Sequence, residues 1–317
     1  MNRSSNIKLL NYNKKYDFII IGGGASGLGC ALDASSRGYS VVLLEKFDFC
    51  KGTSSRSTKL IHGGVRYLEK GQIRLVYEAL KERDILKKNA PHLVKQIGFL
   101  IPVYNYFLKF YYYLGLKVYD FISGNLSFKK SKIVNRNSAI ELVPNVAKEK
   151  LKGGVVYFDG QFDDSRLGID IALTCESYNA ILLNYISVES LIKKNGKIKG
   201  VVANDSVNNN TFSILGEHVI NATGVFSKSI MNMDSIKLES VIRPSQGVHL
   251  VIDKSFLKGS FGILVPKTSD GRVLFAIPWL EHVIIGTTDS IVEKPSFNPL
   301  ATQNEINFIL ENIKNYL

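Results

Sequence analysis

Three glycines with a fixed spacing follow a short apolar run near the start of the chain. Gly22, Gly24 and Gly27 form the pattern Gly-x-Gly-x-x-Gly directly after residues 17–21. Between a strand and a helix, this pattern lets backbone N–H groups approach a pyrophosphate. Glu45 ends the next apolar run, where its carboxylate can accept hydrogen bonds from both ribose hydroxyls and its charge disfavours a 2′-phosphate. The spacing therefore predicts a dinucleotide-binding site.

The elements that must position these residues follow from the apolar pattern. Residues 17–21 and 40–44 are largely apolar runs, which are typical of buried parallel strands. Residues 25–36 lie between them and have the pattern of a helix that ends at Arg37-Gly38. Together these segments predict a βαβ unit.

Beyond this unit the sequence predicts a mixed sheet. The Asn195-Gly196 pair marks the turn of a hairpin over residues 188–204. A short strand after residues 208–210 precedes a separate buried return strand at residues 219–222, and strands broken by turns occupy residues 248–288. This order predicts an α/β fold with a second, largely antiparallel region.

A polar loop after Glu45 distinguishes between the two cofactors that such a site commonly binds. Residues 52–59 are rich in Ser and Thr, where a nicotinamide enzyme usually continues with further regular βαβ units. Small hydroxyl residues can line a long cofactor, and the glycine turn at residues 221–224 can contact it again from the return strand. The sequence therefore favours FAD over NAD.

Composition and charge exclude several classes of protein. The 317 residues suffice for about two domains, and a hydrophobic content of 45% rules out a disordered chain. Cys30, Cys50 and Cys175 are widely spaced and odd in number, so they predict reduced thiols and no metal site. The net charge of +12 suits an anionic membrane or a phosphorylated substrate. Nucleic acid is not expected as a partner, because the sequence carries no motif for it.

An aromatic-rich stretch gives the chain a candidate membrane surface. Nine Tyr and Phe residues fall between residues 104 and 121, with Lys109 and Lys117 among them. Aromatic rings beside lysines suit the headgroup layer of a bilayer, and an aromatic-rich core helix with a solvated lysine edge gives the same pattern. No run of about 20 apolar residues occurs, so no membrane span is expected.

The last predicted helix begins with a capping box at residues 302–305. The apolar residues of its stripe are Ile306, Ile309, Leu310, Ile313 and Leu317. The stripe reaches Leu317 without a capping residue, so the helix is expected to continue beyond it.

One continuous block carries a resemblance to a known family. Residues 53–69 read Thr-Ser-Ser-Arg-Ser-Thr-Lys-Leu-Ile-His-Gly-Gly-Val-Arg-Tyr-Leu-Glu. With the glycine pattern and residues 157–167, 221–224, 243–249 and 285–289, this block closely resembles the FAD-dependent glycerol-3-phosphate dehydrogenases of the aerobic, quinone-linked type. The resemblance runs in order over nearly the whole chain.

The resemblance implies a Rossmann-like FAD-binding domain of the glutathione-reductase and D-amino-acid-oxidase type with a mixed-sheet substrate domain. The implied segments are a first FAD-binding segment (15–95), a helical and aromatic insertion of the substrate domain (96–150), a second FAD-binding segment (151–235), a substrate sheet (236–300) and the start of a helix (301–317). Family members are longer and end in a C-terminal helical domain. The chain is therefore expected to be truncated, without that domain and without part of the flavin site.

The resemblance also implies an activity. Such enzymes oxidise sn-glycerol 3-phosphate to dihydroxyacetone phosphate by hydride transfer from C2 to flavin N5, and pass the electrons to a membrane quinone. The implied cofactor is FAD, and the implied partners are sn-glycerol 3-phosphate, a membrane quinone and an anionic membrane surface; a homodimer is also compatible. The expected location is the cytoplasm, bound peripherally to the inner face of the cytoplasmic membrane.

Two alternatives remain open at this stage. One is an oxidase of the same fold that uses oxygen as acceptor or acts on another 2-hydroxy or amino acid. The other is a non-catalytic remnant that cannot hold FAD.

Particular residues match the family's functional positions. Arg66 matches an arginine that the family uses near the substrate phosphate, for which a structural salt bridge is the alternative role. The catalytic candidates are His62, Arg66, Tyr67 and His249. The candidates for FAD binding are Gly22, Gly24, Ser26, Gly27, Glu45, Lys46, Ser54, Thr58, Leu60, Gly63, Val188 and Gly224.

Overall fold

The computed structural model describes residues 2–10, 14–126, 128–234 and 242–317, with Asn125 described by its backbone alone. The chain divides into two compact units. Unit 1 comprises Met1–Ser57, Asp164–Pro244 and Val292–Asn298. Unit 2 comprises Thr58–Asp163, Ser245–Ile291 and Pro299–Leu317.

The described residues form both helices and strands. The helices are α1 (Arg3–Leu10), α2 (Ala25–Ser36), α3 (Val65–Glu69), α4 (Ile73–Asn89), α5 (Tyr106–Ser123), α6 (Arg136–Leu142), α7 (Asp164–Ser177), α8 (Ser227–Met231) and α9 (Gln303–Ile313). The strands are β1 (Lys15–Ile21), β2 (Val41–Leu44), β3 (Leu60–Ile61), β4 (Lys95–Pro102), β5 (Lys132–Val134), β6 (Gly154–Gln161), β7 (Ile181–Leu183), β8 (Ile186–Lys194), β9 (Lys197–Asp205), β10 (Asn210–Asn221), β11 (Ser245–Gln246), β12 (His249–Asp253), β13 (Gly262–Val265), β14 (Leu274–Trp279), β15 (His282–Gly286) and β16 (Ser290–Ile291).

Unit 1 is built on a sheet with the strand order β7-β2-β1-β10-β9-β8. The strands β7, β2, β1 and β10 pair in parallel, and β9 joins β10 and β8 in antiparallel pairs. The predicted βαβ unit of β1, α2 and β2 is confirmed. On one face, Leu28 and Ala31 of α2 pack with Ala172 and Cys175 of α7, so the helix that follows the glycines lies firmly on the sheet.

One strand of unit 1 differs from the prediction. The sequence predicts a short strand and then a separate return strand near residue 220, but β10 runs without a break from Asn210 to Asn221. Leu215 pairs with Gly200 of β9 and with Lys15 of β1, so β10 changes its neighbours along its length. Because one strand serves both pairings, the hairpin and the parallel layer belong to one sheet.

Unit 2 is built on a mixed sheet of eight strands. The order is β12-β15-β14-β13-β4-β6-β3, with β5 also paired to β6. Only β13 and β4 run parallel among these neighbours within the described residues. A separate two-stranded ribbon joins β11 and β16. The predicted mixed sheet with a largely antiparallel later part is confirmed.

The boundaries of the two compact units differ from those of the predicted segments. Unit 2 begins at Thr58 and not at residue 96, because Leu60 and Ile61 of β3 pair with Gln161 and Gly160 of β6. Likewise, all of β6 belongs to unit 2, so unit 1 resumes at Asp164 and not at residue 151. The assignment of the segments to a flavin-binding and a substrate domain stays a prediction.

Helix α9 begins as predicted and ends earlier than predicted. Thr302 and Glu305 form a capping box with both reciprocal hydrogen bonds present. The helix ends at Ile313, and its buried stripe contains Ile309 and Ile313, whereas Leu310 is exposed. The expectation of an apolar stripe that runs as helix to Leu317 is therefore wrong, because the chain leaves helical geometry one turn earlier.

Helix α5 carries the aromatic stretch. Its N-cap is Asn105, whose side chain accepts a hydrogen bond from the Phe107 N–H. Phe107 is 74% and Phe121 86% exposed, whereas Leu116 and Tyr119 are buried against the unit. The alternative of a core helix is therefore wrong for the outer face of α5. In the described part of the chain, no helix has the length and apolarity needed to cross a bilayer.

Candidate functional site

The glycine turn of unit 1 needs its glycines for steric reasons. Gly22 has φ = +108°, and a Cβ atom there would lie 2.6 Å from the carbonyl oxygen of Ala222. A Cβ atom on Gly27 would lie 1.8 Å from the carbonyl oxygen of Gly22. These contacts bring the end of β1, the start of α2 and the end of β10 together. The turn therefore exists only with glycine at both positions.

The N-terminus of α2 offers donors to an anion. The first N–H groups of a helix have no intrahelical partners, and the N-cap residue Gly24 has no side chain to accept from them. The Ala25 N–H donates to the hydroxyl of Ser54 at 2.8 Å. Ser26 is exposed in the first turn. Among the described residues outside its own helix, a Cβ atom on Gly24 would meet only Ser54 within 4 Å, so the backbone here is open to a ligand that carries negative charge.

The Glu45 carboxylate is oriented by backbone donors. Its Oε2 atom accepts from the Gly23 N–H at 2.6 Å, and its Oε1 atom accepts from the Phe47 N–H at 2.8 Å. Each oxygen keeps a second lone pair, which can accept a ribose hydroxyl. The Ile186 N–H donates to the Glu45 carbonyl at 2.8 Å. The structure thereby brings the start of β8, where Val188 lies, close to Glu45.

A layer of aromatic rings lies beside these residues in unit 1. The rings of Phe226 and Phe297 stack with centroids 3.8 Å apart, and Phe47 meets Phe297 edge-on at 4.6 Å. The Lys46 Nζ atom lies 5.6 Å from the centre of the Phe297 ring. Gly224, two residues before Phe226, has φ = +57° and open space around a would-be Cβ. Sequence reasoning identified Lys46 and Gly224 but missed the rings, and no local pattern indicates Phe297.

Unit 2 contains a cavity of about 640 Å³. Its polar lining includes the sequence-predicted residues Thr58, His62, Arg66 and Tyr67, together with Arg272, which sequence reasoning missed. The apolar part of the lining comes from α3, α4, α5 and the sheet, and includes Leu68, Ile73, Leu114, Val118 and Leu264. The structure thus brings three of the four catalytic candidates to one cavity.

The His62 ring is held in a defined tautomer. Its Nδ1 atom accepts a hydrogen bond from the Gly64 N–H at 3.0 Å, and Gly64 has φ = +70°. A backbone N–H can only donate, so Nδ1 carries no proton and the neutral ring carries its proton on Nε2. His62 can therefore donate a hydrogen bond to a ligand through its Nε2–H.

The fourth candidate, His249, meets a residue that was predicted to contact FAD. Its Nε2 atom lies 2.8 Å from the Oγ1 atom of Thr58. The ring also packs on Gly286, where a Cβ atom would lie 2.3 Å from it. Thr58 lines the cavity, so its hydroxyl connects the cavity with His249.

The two arginines of the cavity differ in their partners. Both Nε and Nη2 of Arg272 contact the Asp270 carboxylate, at 2.6 and 2.5 Å. Arg66, on α3, forms no ion pair with any residue that the structure describes. Its guanidinium keeps its donors for a ligand, which suits a phosphate better than the neutralised Arg272 does.

The remaining predicted contacts to FAD lie on the same segment of unit 2. Leu60 pairs with Gln161 on β6, and the Gly63 N–H donates to the Tyr119 hydroxyl oxygen at 3.0 Å. Thr58, Leu60 and Gly63 thus belong to unit 2, whereas the other nine predicted FAD contacts lie in unit 1. The roles of all these residues stay predictions.

Comparisons with known proteins show which family the chain resembles. A family profile described as FAD dependent oxidoreductase matches residues 17–317. The chain is 42% identical to the mitochondrial glycerol-3-phosphate dehydrogenase of Mesocricetus auratus, over 99% of this chain and 45% of that protein. It is 41% identical to the enzyme of the same name from Saccharomyces cerevisiae, over 96% and 52%.

A solved structure gives the same result. The glycerol-3-phosphate dehydrogenase of Bacillus halodurans, complexed with FAD, superposes with a TM-score of 0.79 and 34% identity, over 99% of this chain and 55% of that one. The chain spans about half the length of the curated relatives that it matches. The profile covers nearly all of the chain and includes the glycine turn and the cavity-lining segment. The chain belongs to the FAD dependent oxidoreductase family.

Proposed function

We propose that this chain takes part in the FAD-dependent oxidation of sn-glycerol 3-phosphate to dihydroxyacetone phosphate. The observation that carries the proposal is Arg66, an arginine without an ion pair among the described residues, in a cavity that also presents His62 and Tyr67. An unpaired guanidinium suits a phosphate dianion, and the two neighbours suit the hydroxyls of a small polyol.

The residues of unit 1 fit the cofactor. The N-terminus of α2 at Gly24 would hold the pyrophosphate, and Glu45 would hold the ribose of the adenosine. Lys46 and the ring of Phe297 would lie at the adenine. When bound, FAD supplies the acceptor for the hydride that leaves C2.

The residues of unit 2 would bind and deprotonate the substrate. Arg66 holds the phosphate, and the Nε2–H of His62 and the hydroxyl of Tyr67 orient the polyol oxygens. Oxidation at C2 also releases the proton of the C2 hydroxyl. Thr58 can accept this proton while it passes its own to Nε2 of His249, since the two atoms lie 2.8 Å apart. His249 is thereby the proposed base, and His62 is a donor.

The apolar part of the cavity supports a quinone as electron acceptor. A cavity of about 640 Å³ is large enough for a drug-sized ligand, and a three-carbon phosphate fills only part of it. Leu68, Ile73, Leu114 and Val118 offer an apolar lining to an additional ligand. The exposed aromatic face of α5 supports peripheral binding to an anionic membrane, where quinones reside.

The inner face of the cytoplasmic membrane is the proposed location. The names of the curated relatives make the mitochondrion the second candidate. A homodimer also stays a prediction.

The test is reconstitution of the purified chain with FAD, followed by addition of sn-glycerol 3-phosphate. We expect flavin absorbance to stay with the protein and to bleach on addition of substrate, and a soluble quinone to restore it. Hydrogen peroxide formation in place of quinone reduction would favour the oxidase alternative. If no flavin remains bound after FAD addition and gel filtration, the chain is a non-catalytic remnant and the proposal fails.

A further inference from the structure

A buried polar network lies behind the segment that carries His62 and Arg66. Arg83 of α4 and Asp159 of β6 form an ion pair at 2.6 Å, and both side chains are only 1% exposed. The hydroxyl of Tyr119 on α5 donates to the other carboxylate oxygen of Asp159 at 2.9 Å. The Gly63 N–H in turn donates to the Tyr119 oxygen at 3.0 Å. A chain of contacts thus links side chains of α4, β6 and α5 to the backbone amide of Gly63.

The direction of each hydrogen bond follows from chemistry. The Asp159 carboxylate beside the Arg83 guanidinium can only accept, so the Tyr119 hydroxyl must donate to it and has its lone pairs left for Gly63. Burial, together with the nearby Asp159 charge, raises the pKa of Tyr119 well above its usual value, so the phenol keeps its proton. The hydrogen bonds of the network therefore have a single pattern of donors and acceptors.

The network contacts the candidate site at a closely packed glycine. A Cβ atom on Gly63 would lie 2.5 Å from the Tyr119 oxygen and 2.7 Å from Cγ of Leu80. Gly63 follows His62 directly, and Gly64 donates to the His62 ring. Arg66 is the second residue of α3 and follows Gly64 by less than one helical turn. The amide that Tyr119 holds is thus close in the chain to both side chains.

We propose that Tyr119, held by Asp159 and Arg83, is a positioning residue that fixes the His62 ring and the Arg66 guanidinium in the cavity. Neither Tyr119 nor its two partners line the cavity, so the network acts through the Gly63 backbone. This inference rests on the proposed function only for the identity of the ligand.

The test compares Tyr119→Phe with Tyr104→Phe as a matched control. Tyr104 is also part-buried in unit 2, and its hydroxyl donates to the Ala147 carbonyl at 3.1 Å, outside the network. In both variants, binding of sn-glycerol 3-phosphate and of inorganic phosphate is measured by calorimetry. In protein with ¹⁵N-labelled histidine, NMR follows the His62 nitrogens, which His62→Gln assigns among the five histidines.

We expect Tyr119→Phe to weaken binding of sn-glycerol 3-phosphate roughly tenfold, the usual size for a lost buried hydrogen bond. We also expect it to shift or broaden the His62 nitrogen signals, whereas Tyr104→Phe leaves binding and signals as in the wild type. Unchanged binding and unchanged His62 signals in folded Tyr119→Phe would overturn the inference. If the wild type binds neither ligand, the proposed function fails, and the His62 signals alone decide the positioning role.

A double variant covers the case in which Tyr119→Phe does not fold. Arg83→Met with Asp159→Leu replaces the buried ion pair by apolar side chains, an exchange that commonly leaves a fold intact. It removes the acceptor that orients Tyr119 and keeps the phenol beside Gly63. The same change in the His62 signals is expected, and wild-type signals would count against the inference.

Discussion

The Oε2 atom of Glu45 accepts a hydrogen bond from the backbone N–H of Gly23 at 2.6 Å. This bond joins the end of β2 to the glycine turn after β1. The residue predicted to bind the ribose is therefore hydrogen-bonded to the turn predicted to bind the pyrophosphate. The Phe47 N–H holds the other carboxylate oxygen at 2.8 Å. Glu45 is therefore oriented before any ligand arrives, which lowers the entropic cost of binding.

We expect Glu45→Gln to weaken FAD binding about tenfold, because the amide offers one acceptor oxygen where the carboxylate offers two, and it carries no charge. Titration of FAD fluorescence with the purified protein measures the affinity. The control is Asp33→Asn on α2, which removes a charge from an exposed ion pair with Arg37. Equal affinities for wild type and Glu45→Gln would contradict the assignment of the ribose ligand.

Two glycines of α2 are expected to respond oppositely to alanine. In Gly27→Ala the new methyl group would lie 1.8 Å from the Gly22 carbonyl oxygen, so α2 must move off the sheet. We expect the free energy of unfolding to fall by about 3 kcal/mol, the upper range for overpacking. Apart from its own helix backbone, no described residue lies within 4 Å of a would-be Cβ on Gly29, so Gly29→Ala should raise the free energy of unfolding by about 0.5 to 1 kcal/mol through helix propensity. Urea unfolding measures both, and equal effects would show that the close approach at Gly27 is not rigid.

Arg66→Ala is expected to weaken binding of sn-glycerol 3-phosphate while FAD stays bound. The loss should be about tenfold to a hundredfold, because charge-assisted hydrogen bonds to the phosphate disappear. The Michaelis constant and the flavin absorbance of the same sample report the two effects. Arg74→Ala is the control, since Arg74 pairs with Glu78 on the exposed face of α4. Loss of flavin from Arg66→Ala would instead indicate a structural role.

The outer face of α5 is expected to bind anionic vesicles. Phe107 and Phe121 are 74% and 86% exposed, so replacing both by Ser removes apolar area without disturbing the core. We expect co-sedimentation with phosphatidylglycerol vesicles to weaken about tenfold or more, given the transfer energy of two phenyl rings. Phe256 and Leu280 are exposed elsewhere in unit 2, and their double replacement by Ser is the control. An equal loss in both double variants would show that α5 is no special membrane surface.

Glu305 is expected to stabilise unit 2 in a pH-dependent manner. Burial raises the pKa of the Glu305 carboxyl, but hydrogen bonds from Thr302, Ser290 and Gln246 lower this pKa by more than burial raises it. The net pKa lies below the usual 4.5. A lowered pKa in the folded state means stabilisation that is fully present above the unfolded-state pKa and is lost as the pH falls through the folded-state value.

Glu305→Gln should therefore lower the free energy of unfolding by about 1 kcal/mol at pH 7, the usual value of such a cap. The difference from wild type should shrink as the pH is lowered through the pKa of Glu305. Urea unfolding across this range measures it, with Glu311→Gln on the exposed side of α9 as control. A gap that persists at low pH would show that the carboxylate charge is not what stabilises the helix.

Local patterns in the sequence were sufficient to predict the glycine turn between β1 and α2. The strand, the three glycines, the helix and Glu45 are close in the chain, so steric and hydrogen-bonding requirements of one turn link them directly. The capping box at Thr302 is local in the same sense. The continuous β10 was missed because its two halves pair with different neighbours, which no local pattern reveals.

The sequence by itself thus determined the βαβ unit, the mixed second sheet and the segment that carries His62 and Arg66. Only the tertiary structure decided which side chains meet across the chain. Thr58 reaches His249 over 191 residues, and Arg83 reaches Asp159 over 76. Such contacts depend on the order and register of strands from distant segments, since β3 joins the sheet through its pairing with β6. That pairing, and not residue type or spacing, gives the His62 and Arg66 segment its surroundings.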